Sequence, residues 1–207
     1  RHIGRKSLNE HFTGLVGGVE PEEAKTLVWA RTKVKPGSVP EAEGEISVQI
    51  GAETTYFKSL AAAFASVATD EVARVTLLTN VLIDAEAAVK GNVTLTGGEY
   101  GIYRLDNYRI TVSGAGNSLC LTNVTVNGVY FGNRITSTCT LFRSEDGGLL
   151  TLDDGAVIQK LRGFSTVSRT EAAVSVHDGL LTMRDGSIIR NCKPDDEDYV
   201  CAGGGVI

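Results

Sequence analysis

The sequence predicts an all-β fold, a parallel β-helix in which short strands stack as successive coils of one solenoid. Three observations carry that expectation: a unit stated twice, a ladder of similar strands ahead of it, and a composition suited to narrow coils. Gly148-Leu149-Leu150-Thr151-Leu152-Asp153-Asp154-Gly155-Ala156-Val157-Ile158-Gln159-Lys160 returns as Gly179-Leu180-Leu181-Thr182-Met183-Arg184-Asp185-Gly186-Ser187-Ile188-Ile189-Arg190-Asn191, offset by 31 residues with seven of thirteen positions identical. Each copy is a short alternating strand, an Asp-Gly corner and a second apolar stretch. A unit this small cannot bury its own apolar side, so it must stack on copies of itself.

The ladder runs backwards from there. Leu119 and Leu121 lie 31 residues before Leu150 and Leu152, Val93 and Leu95 lie 26 before those, and Val75 and Leu77 a further 18. Arg109 to Val112, Thr138 to Phe142 and Ala173 to Val176 supply further sides of each coil. Aromatics make up 6% of the chain while glycine numbers 24, a balance that favours small stacked layers over a bulky core. A β-sandwich of hairpins is the competing reading, because Asp-Gly and Asn-Gly also mark tight hairpin turns. Against it, the similar strands recur only after whole coils.

Taken in order, residues 1–45 form an N-terminal appendage or linker. Ser7 to Phe12 and Pro21 to Trp29 read as short helices, the second with Pro21, Glu22 and Glu23 where a first turn favours proline and acids. Lys33 to Pro40 reads as a linker, carrying two of the four prolines. Residues 46–71 hold a strand, with Ile46, Val48 and Ile50 on one side, and then a helix in the Leu60–Ala68 run. Ser59 is its N-cap, and Leu60, Phe64 and Val67 share a face. That helix is the candidate cap for an otherwise open solenoid end. Residues 72–207 are the stack, with corners at Asn127-Gly128, Asp146-Gly147, Asp154-Gly155, Asp178-Gly179 and Asp185-Gly186, where glycine is expected to supply positive φ.

The Leu-Thr-Leu unit with its Asp-Gly corner and isoleucine, together with Gly203-Gly204-Gly205-Val206-Ile207, resembles the right-handed β-helix repeats of adhesin-like bacterial surface proteins. It is also similar to the Gly-Gly-aliphatic repeats of chlamydial polymorphic membrane proteins, although the companion Phe-x-x-Asn motif is not evident. The resemblance covers about residues 55 to 207. It implies a right-handed β-helix, a tyrosine-then-helix cap at Tyr56 to Val67, and an adhesive role at a cell surface.

Net charge of −5 and a sequence pI near 5.3 leave no basic stripe for nucleic acid. No apolar run is long enough to span a bilayer, and the first residues lack the pattern of a signal peptide. Since Gly203 to Ile207 reads as the start of another strand, the expectation is a mature or truncated piece, with its anchor outside the sequence.

The search for chemistry weighs each motif against its structural explanation. Cys192 with Cys201 and Cys120 with Cys139 are either bridges or buried free thiols. Zinc is not expected, since no Cys-x-x-Cys occurs and His2, His11 and His177 are not spaced with the cysteines as ligands. Asp153, Asp154, Asp178, Arg184 and Asp185 would converge as a cleavage site if the coils stack in register, but a turn explains each acid. Asp195-Asp196-Glu197-Asp198 lacks the spacing of a calcium loop. Gly114-Ala115-Gly116-Asn117-Ser118 reads as a turn rather than a phosphate loop. His177 reads as a strand-end surface residue, and Asn92 and Asn123, which match the N-glycosylation pattern, read as turn residues.

The sequence therefore points to a non-enzymatic, extracellular, adhesin-like module with no catalytic, cofactor or metal residues. Its partner is expected to be a host or cell-surface glycan or protein. The alternative is a polysaccharide lyase or hydrolase, or a tailspike-like fragment, with Tyr100, Tyr103, Tyr108, Tyr130 and Phe131 as the aromatics that would line its groove. A purely structural stalk is the third reading.

Overall fold

The computed structural model describes residues 35–128, 140–163 and 172–194, together with Val206. The chain divides into two compact units, Arg1–Pro36 and Gly37–Ile207. Of the first, only Lys35 and Pro36 are described, so the helices expected at Ser7–Phe12 and Pro21–Trp29 lie outside the described residues. The second unit is β-rich.

It opens with β1 (Ser38–Val39), a single 3-10 turn at Glu41–Glu43, β2 (Ile46–Ile50), β3 (Glu53–Phe57) and a short helix, Leu60–Ala65. β1 falls inside the segment read as a linker, yet it pairs antiparallel with β3. β3 in turn pairs antiparallel with β2, and β2 with the next strand, β4 (Val72–Leu77). From β4 onward the chain changes habit and visits three sheets in turn.

β4 continues the sheet of β1, β2 and β3, here the first, while β5 (Val81–Ile83) and β6 (Ala87–Val89) begin the second and third. β7 (Asn92–Thr96), β8 (Gly101–Arg104) and β9 (Ile110–Ser113) join the same sheets in the same order. So do β10 (Ser118–Thr122), β11 (Val124–Asn127) and β12 (Phe142–Glu145). β13 (Leu149–Leu152) and β14 (Ala156–Gln159) add to the first and second, β15 (Arg162–Gly163) stands apart, and β16 (Val174–His177) adds to the third. β17 (Leu180–Met183) and β18 (Ile188–Arg190) extend the first and second once more, and β19 (Lys193–Pro194) pairs with β15.

Every strand pair within this cycle is parallel. In the first sheet Val93, Leu119, Leu150 and Leu181 stand in register, as do Leu95, Leu121, Leu152 and Met183, so the offsets of 26, 31 and 31 hold. The hairpin reading fails here, because parallel neighbours need a whole crossover between them. The first offset is corrected: Ala73 pairs with Val93 and Val75 with Leu95, a shift of 20 residues, where matching Val75 and Leu77 gave 18. Alternation alone could not decide this, because a slip of two residues keeps every side chain on its face. β4 presents three inward aliphatics, Ala73, Val75 and Leu77, and any two of them satisfy the pattern.

The inward rows of all three sheets form one continuous apolar cluster. Leu60, Ala63, Phe64 and Val67 join it from the helical segment, all buried. Ser59 is extended and its Oγ accepts the Ala62 N–H at 3.3 Å, the cap expected from sequence. The helix stops short of Ala68 because Ser66 turns its hydroxyl back to the Ala63 carbonyl, at 2.7 Å. It packs against the antiparallel β2 and β3 and against β5 and β6, the first strands of the second and third sheets.

The corners follow the expectation in part. Gly147, Gly155 and Gly186 have positive φ, but at Asp178-Gly179 it is Asp178 that does, with φ of 53°, and at Asn127-Gly128 neither residue does. Those two glycines are required by closeness instead. A Cβ on Gly179 would sit 2.7 Å from the Ser144 carbonyl carbon, and one on Gly128 would sit 2.7 Å from Leu161 Cα. Among the described residues no helix is long and apolar enough to cross a membrane.

Candidate functional site

Strands that stack in register convert a residue repeated along the sequence into a row across the sheet. The inward rows make the core, so any function must come from the outward rows and the corners. On the second sheet Leu82, Tyr103, Asn127, Gln159 and Arg190 make one outward row. Its last three members are hydrogen-bonded head to tail: Arg190 Nε donates to Gln159 Oε1 at 3.0 Å, and Gln159 Nε2 donates to Asn127 Oδ1 at 3.0 Å. Asn127 is buried, Gln159 half-buried and Arg190 exposed, so the ladder runs from the interior of the face out to solvent.

Beside it lies the row Gly101, Thr125, Val157 and Ile188. The Tyr103 ring leans back along its strand over Gly101: a Cβ there would sit 3.5 Å from Tyr103 Cε2 and 3.7 Å from its hydroxyl. Arg104, the next residue, turns inward and is fully buried, with Nε donating to the Gly128 carbonyl at 3.3 Å. It is the only fully buried cation among the described residues, and it ties the end of β8 to the end of β11.

The acids expected to converge are divided between two corners. Asp153, Asp154, Arg184 and Asp185 occupy the corner between the first and second sheets, where Arg184 Nη1 lies 3.0 Å from Asp153 Oδ2. Asp153 also accepts the Asp154 N–H at 2.9 Å, which holds its own turn. Asp178 is at the opposite end of β17, at the corner between the third and first sheets, near Asp146 and Glu145. There Ser113 Oγ donates to Asp146 Oδ2 at 3.1 Å, and Arg143 Nε lies 2.7 Å from Glu145 Oε2, an ion pair whose angle is not that of a hydrogen bond.

Cys120 shares the outward face of the first sheet with Asp153 and Arg184. Burial pushes its thiol up, the Asp153 carboxylate adds to that, and Arg184 works the other way. A raised thiol is a poor nucleophile at neutral pH. Cys120 and Cys192 are free; Cys139 and Cys201 lie outside the described residues. So do Tyr130, Phe131 and the acidic run Asp195 to Asp198. Tyr100 packs half-buried against the core at a corner, and Tyr108 is exposed on the connection after β8, so of the candidate aromatics among the described residues Tyr103 alone stands on a sheet face. Gly114 to Asn117 is a turn, with Gly114 and Gly116 at positive φ and Asn117 donating to the Ser113 carbonyl at 2.7 Å. Asn92 and Asn123 are both exposed, Asn123 at a left-handed turn with φ of 46°. His177 is exposed at the end of β16. Among the described residues no group of three His, Cys, Asp or Glu side chains is placed to hold a metal ion.

The second-sheet ladder escaped the sequence reading. Its signal was present in the repeat itself, since Gln159 and Arg190 follow the matched Ile158 and Ile189 at the same step. Only the register of β11 against β14, which the uneven spacing hid, brings Asn127 into line with them.

No family model, curated protein or solved structure matches the chain.

Proposed function

We propose that this chain is a non-enzymatic, extracellular display module, a right-handed parallel β-helix that holds a binding face out from a cell surface. The observation that carries the reading is the threefold cycle: each pass visits the same three sheets, in the same order, in register with the pass before. Parallel crossovers of this kind are right-handed in nearly all proteins. The helix Leu60–Ala65 and the antiparallel β1, β2 and β3 act as the cap, removing an open strand edge at one end.

Two features favour display over cleavage. The carboxylates Asp153 and Asp146 are engaged in holding corners, and the acids lie at opposite ends of the first-sheet strands rather than facing each other across one groove. The connections from the second sheet to the third, in contrast, vary from residues 84–86 and 105–109 to 128–141. Variable connections on one side of a constant stack are where repeat proteins place binding surfaces.

The test is expression of the chain on a non-adherent bacterium, scored for attachment to cultured epithelial cells and, in parallel, for release of reducing ends from polygalacturonate and glycosaminoglycans. Saturable attachment without new reducing ends is expected. Turnover of a polysaccharide would overturn the reading in favour of an enzyme, and absence of attachment to any surface would reduce the chain to a stalk.

A further inference from the structure

We propose that the outward face of the second sheet is the binding face and that its ligand is an anionic glycan laid across the strands. Tyr103 supplies the stacking surface and Arg190 the charged contact. This rests on the display reading above and names the site and the ligand class within it.

Four observations converge on this face. First, the ladder pre-orients a cation: the Arg190–Gln159 bond fixes one edge of the guanidinium, and among the described residues its Nη groups have no partner. A guanidinium held that way offers a planar fork suited to a carboxylate or sulfate, and it loses little side-chain entropy on binding. Second, Gln159 is itself held by Asn127, so the polar row is rigid along three consecutive strands, about 4.8 Å apart. Third, the parallel row of Thr125, Val157 and Ile188 is partly apolar, and the Tyr103 ring leans along the sheet beside it. A sugar ring presents apolar C–H faces flanked by hydroxyls; the Tyr103 ring matches the first and the half-buried Gln159 amide the second, while the buried Asn127 between them acts only by holding Gln159.

Fourth, the charge is of one sign. Neither outward row of the second sheet contains an acid, whereas Arg190 and Lys160 are both exposed at its far edge. On a chain of net charge −5 this pair of cations is a local exception, and it attracts a short anionic segment without making the whole protein attractive to a long polyanion such as nucleic acid.

The experiment measures binding of the whole chain to polygalacturonate, dextran sulfate, neutral dextran and polyglutamate by calorimetry at two salt concentrations. The first two probes separate carboxylate from sulfate as the source of the anion. At least one anionic glycan is expected to bind, with neutral dextran and polyglutamate each at least about tenfold weaker. Arg190→Gln is expected to weaken the anionic glycan about tenfold or more and to flatten the salt dependence. Tyr103→Ala should weaken it by a similar factor, and Tyr103→Phe, which keeps the ring, should retain most of the affinity. Arg74→Gln, on the exposed outward face of the first sheet, should change nothing. Urea unfolding of each variant reports whether the fold survives.

The proposal is overturned if no anionic glycan binds better than neutral dextran, if polyglutamate binds as well, or if Arg74→Gln weakens binding as much as Arg190→Gln. Cell attachment that persists in Arg190→Gln and Tyr103→Ala would sink this face while leaving the display reading in place. Loss of attachment by the unmodified chain would sink the display reading itself.

Discussion

Truncating Leu150 to alanine tests the stacked rows directly. Leu150 is 1% exposed, with Leu119 in register on one side and Leu181 on the other. Its neighbours are held by their own sheet hydrogen bonds and cannot collapse into the space left behind, so both the transfer and cavity contributions apply. The expected loss is about 3–4 kcal/mol. Leu181 occupies the same row one strand on but is only partly buried, so Leu181→Ala should cost about 1–2 kcal/mol. Because each strand is hydrogen-bonded only to its neighbours in the sheet, Leu119→Ala and Leu150→Ala should couple by more than about 0.5 kcal/mol, whereas Leu150→Ala and the distant Ile46→Ala should add. The assay is urea unfolding followed by far-ultraviolet circular dichroism, with midpoints compared at constant slope. Equal losses at Leu150 and Leu181, or a loss at Leu150 under about 1 kcal/mol, would refute the row as the unit of stability.

Other perturbations address the corners and the cap. Gly148→Ala places a Cβ against the Val112 backbone carbonyl and should cost about 1–3 kcal/mol, against about 1 kcal/mol for Gly116→Ala, where φ is positive but nothing lies within 4 Å. Ser59→Ala removes the one side-chain cap of the helix and should cost about 1 kcal/mol by the same unfolding assay. Cys120 should alkylate slowly with iodoacetamide near neutral pH; Asp153→Asn should speed the reaction and Arg184→Gln slow it, since the carboxylate raises the thiol and the guanidinium lowers it. A thiol raised on folding stabilises the protein below the ordinary thiol pKa, and that contribution fades as pH climbs through the raised value, so alkaline unfolding should come earlier in the unmodified protein than in Cys120→Ser.

The rows were legible in the sequence because the inward positions are under one simple constraint. Leu150, Leu152, Ile158 and their counterparts must be aliphatic, and an alternating pattern repeated at a fixed offset reveals both the strand and its partner. Val75 was placed two residues out for the same reason, since alternation specifies a face and not a partner. Ser59 was legible because capping is local. The division of the acids was not: Asp153 and Asp178 look alike in sequence, each beside a strand and near a glycine, and only the order in which the chain visits the three sheets assigns them to opposite ends of the first-sheet strands. Arg104 left no trace at all, because it stands at an inward position of β8, two residues after Ile102, where alternation calls for an aliphatic residue and an arginine reads as the end of the strand.

The unequal connections say which parts of each three-strand pass carry the register. Ala87, Ile110, Phe142 and Val174 stand in one row of the third sheet even though the connections leading to the first three run over 84–86, 105–109 and 128–141. Length is therefore free at that corner and held to between two and four residues at the one that follows, where Glu145 reaches Leu149 through Asp146 and Gly147 at positive φ and Gly148 against Val112. A Gly-Ser pair inserted between the exposed Leu105 and Asp106 should cost under about 1 kcal/mol, since lengthening a connection adds only a slowly growing closure entropy. The same pair inserted between Asp178 and Gly179 breaks the contact of Gly179 with Ser144 and the Ser144 hydroxyl bond to the Leu180 carbonyl, and should cost several times as much. If the two insertions proved equally tolerated in urea unfolding, the tight corner would not be what keeps the first sheet aligned, and the rows would have to be held by the aliphatic side chains alone.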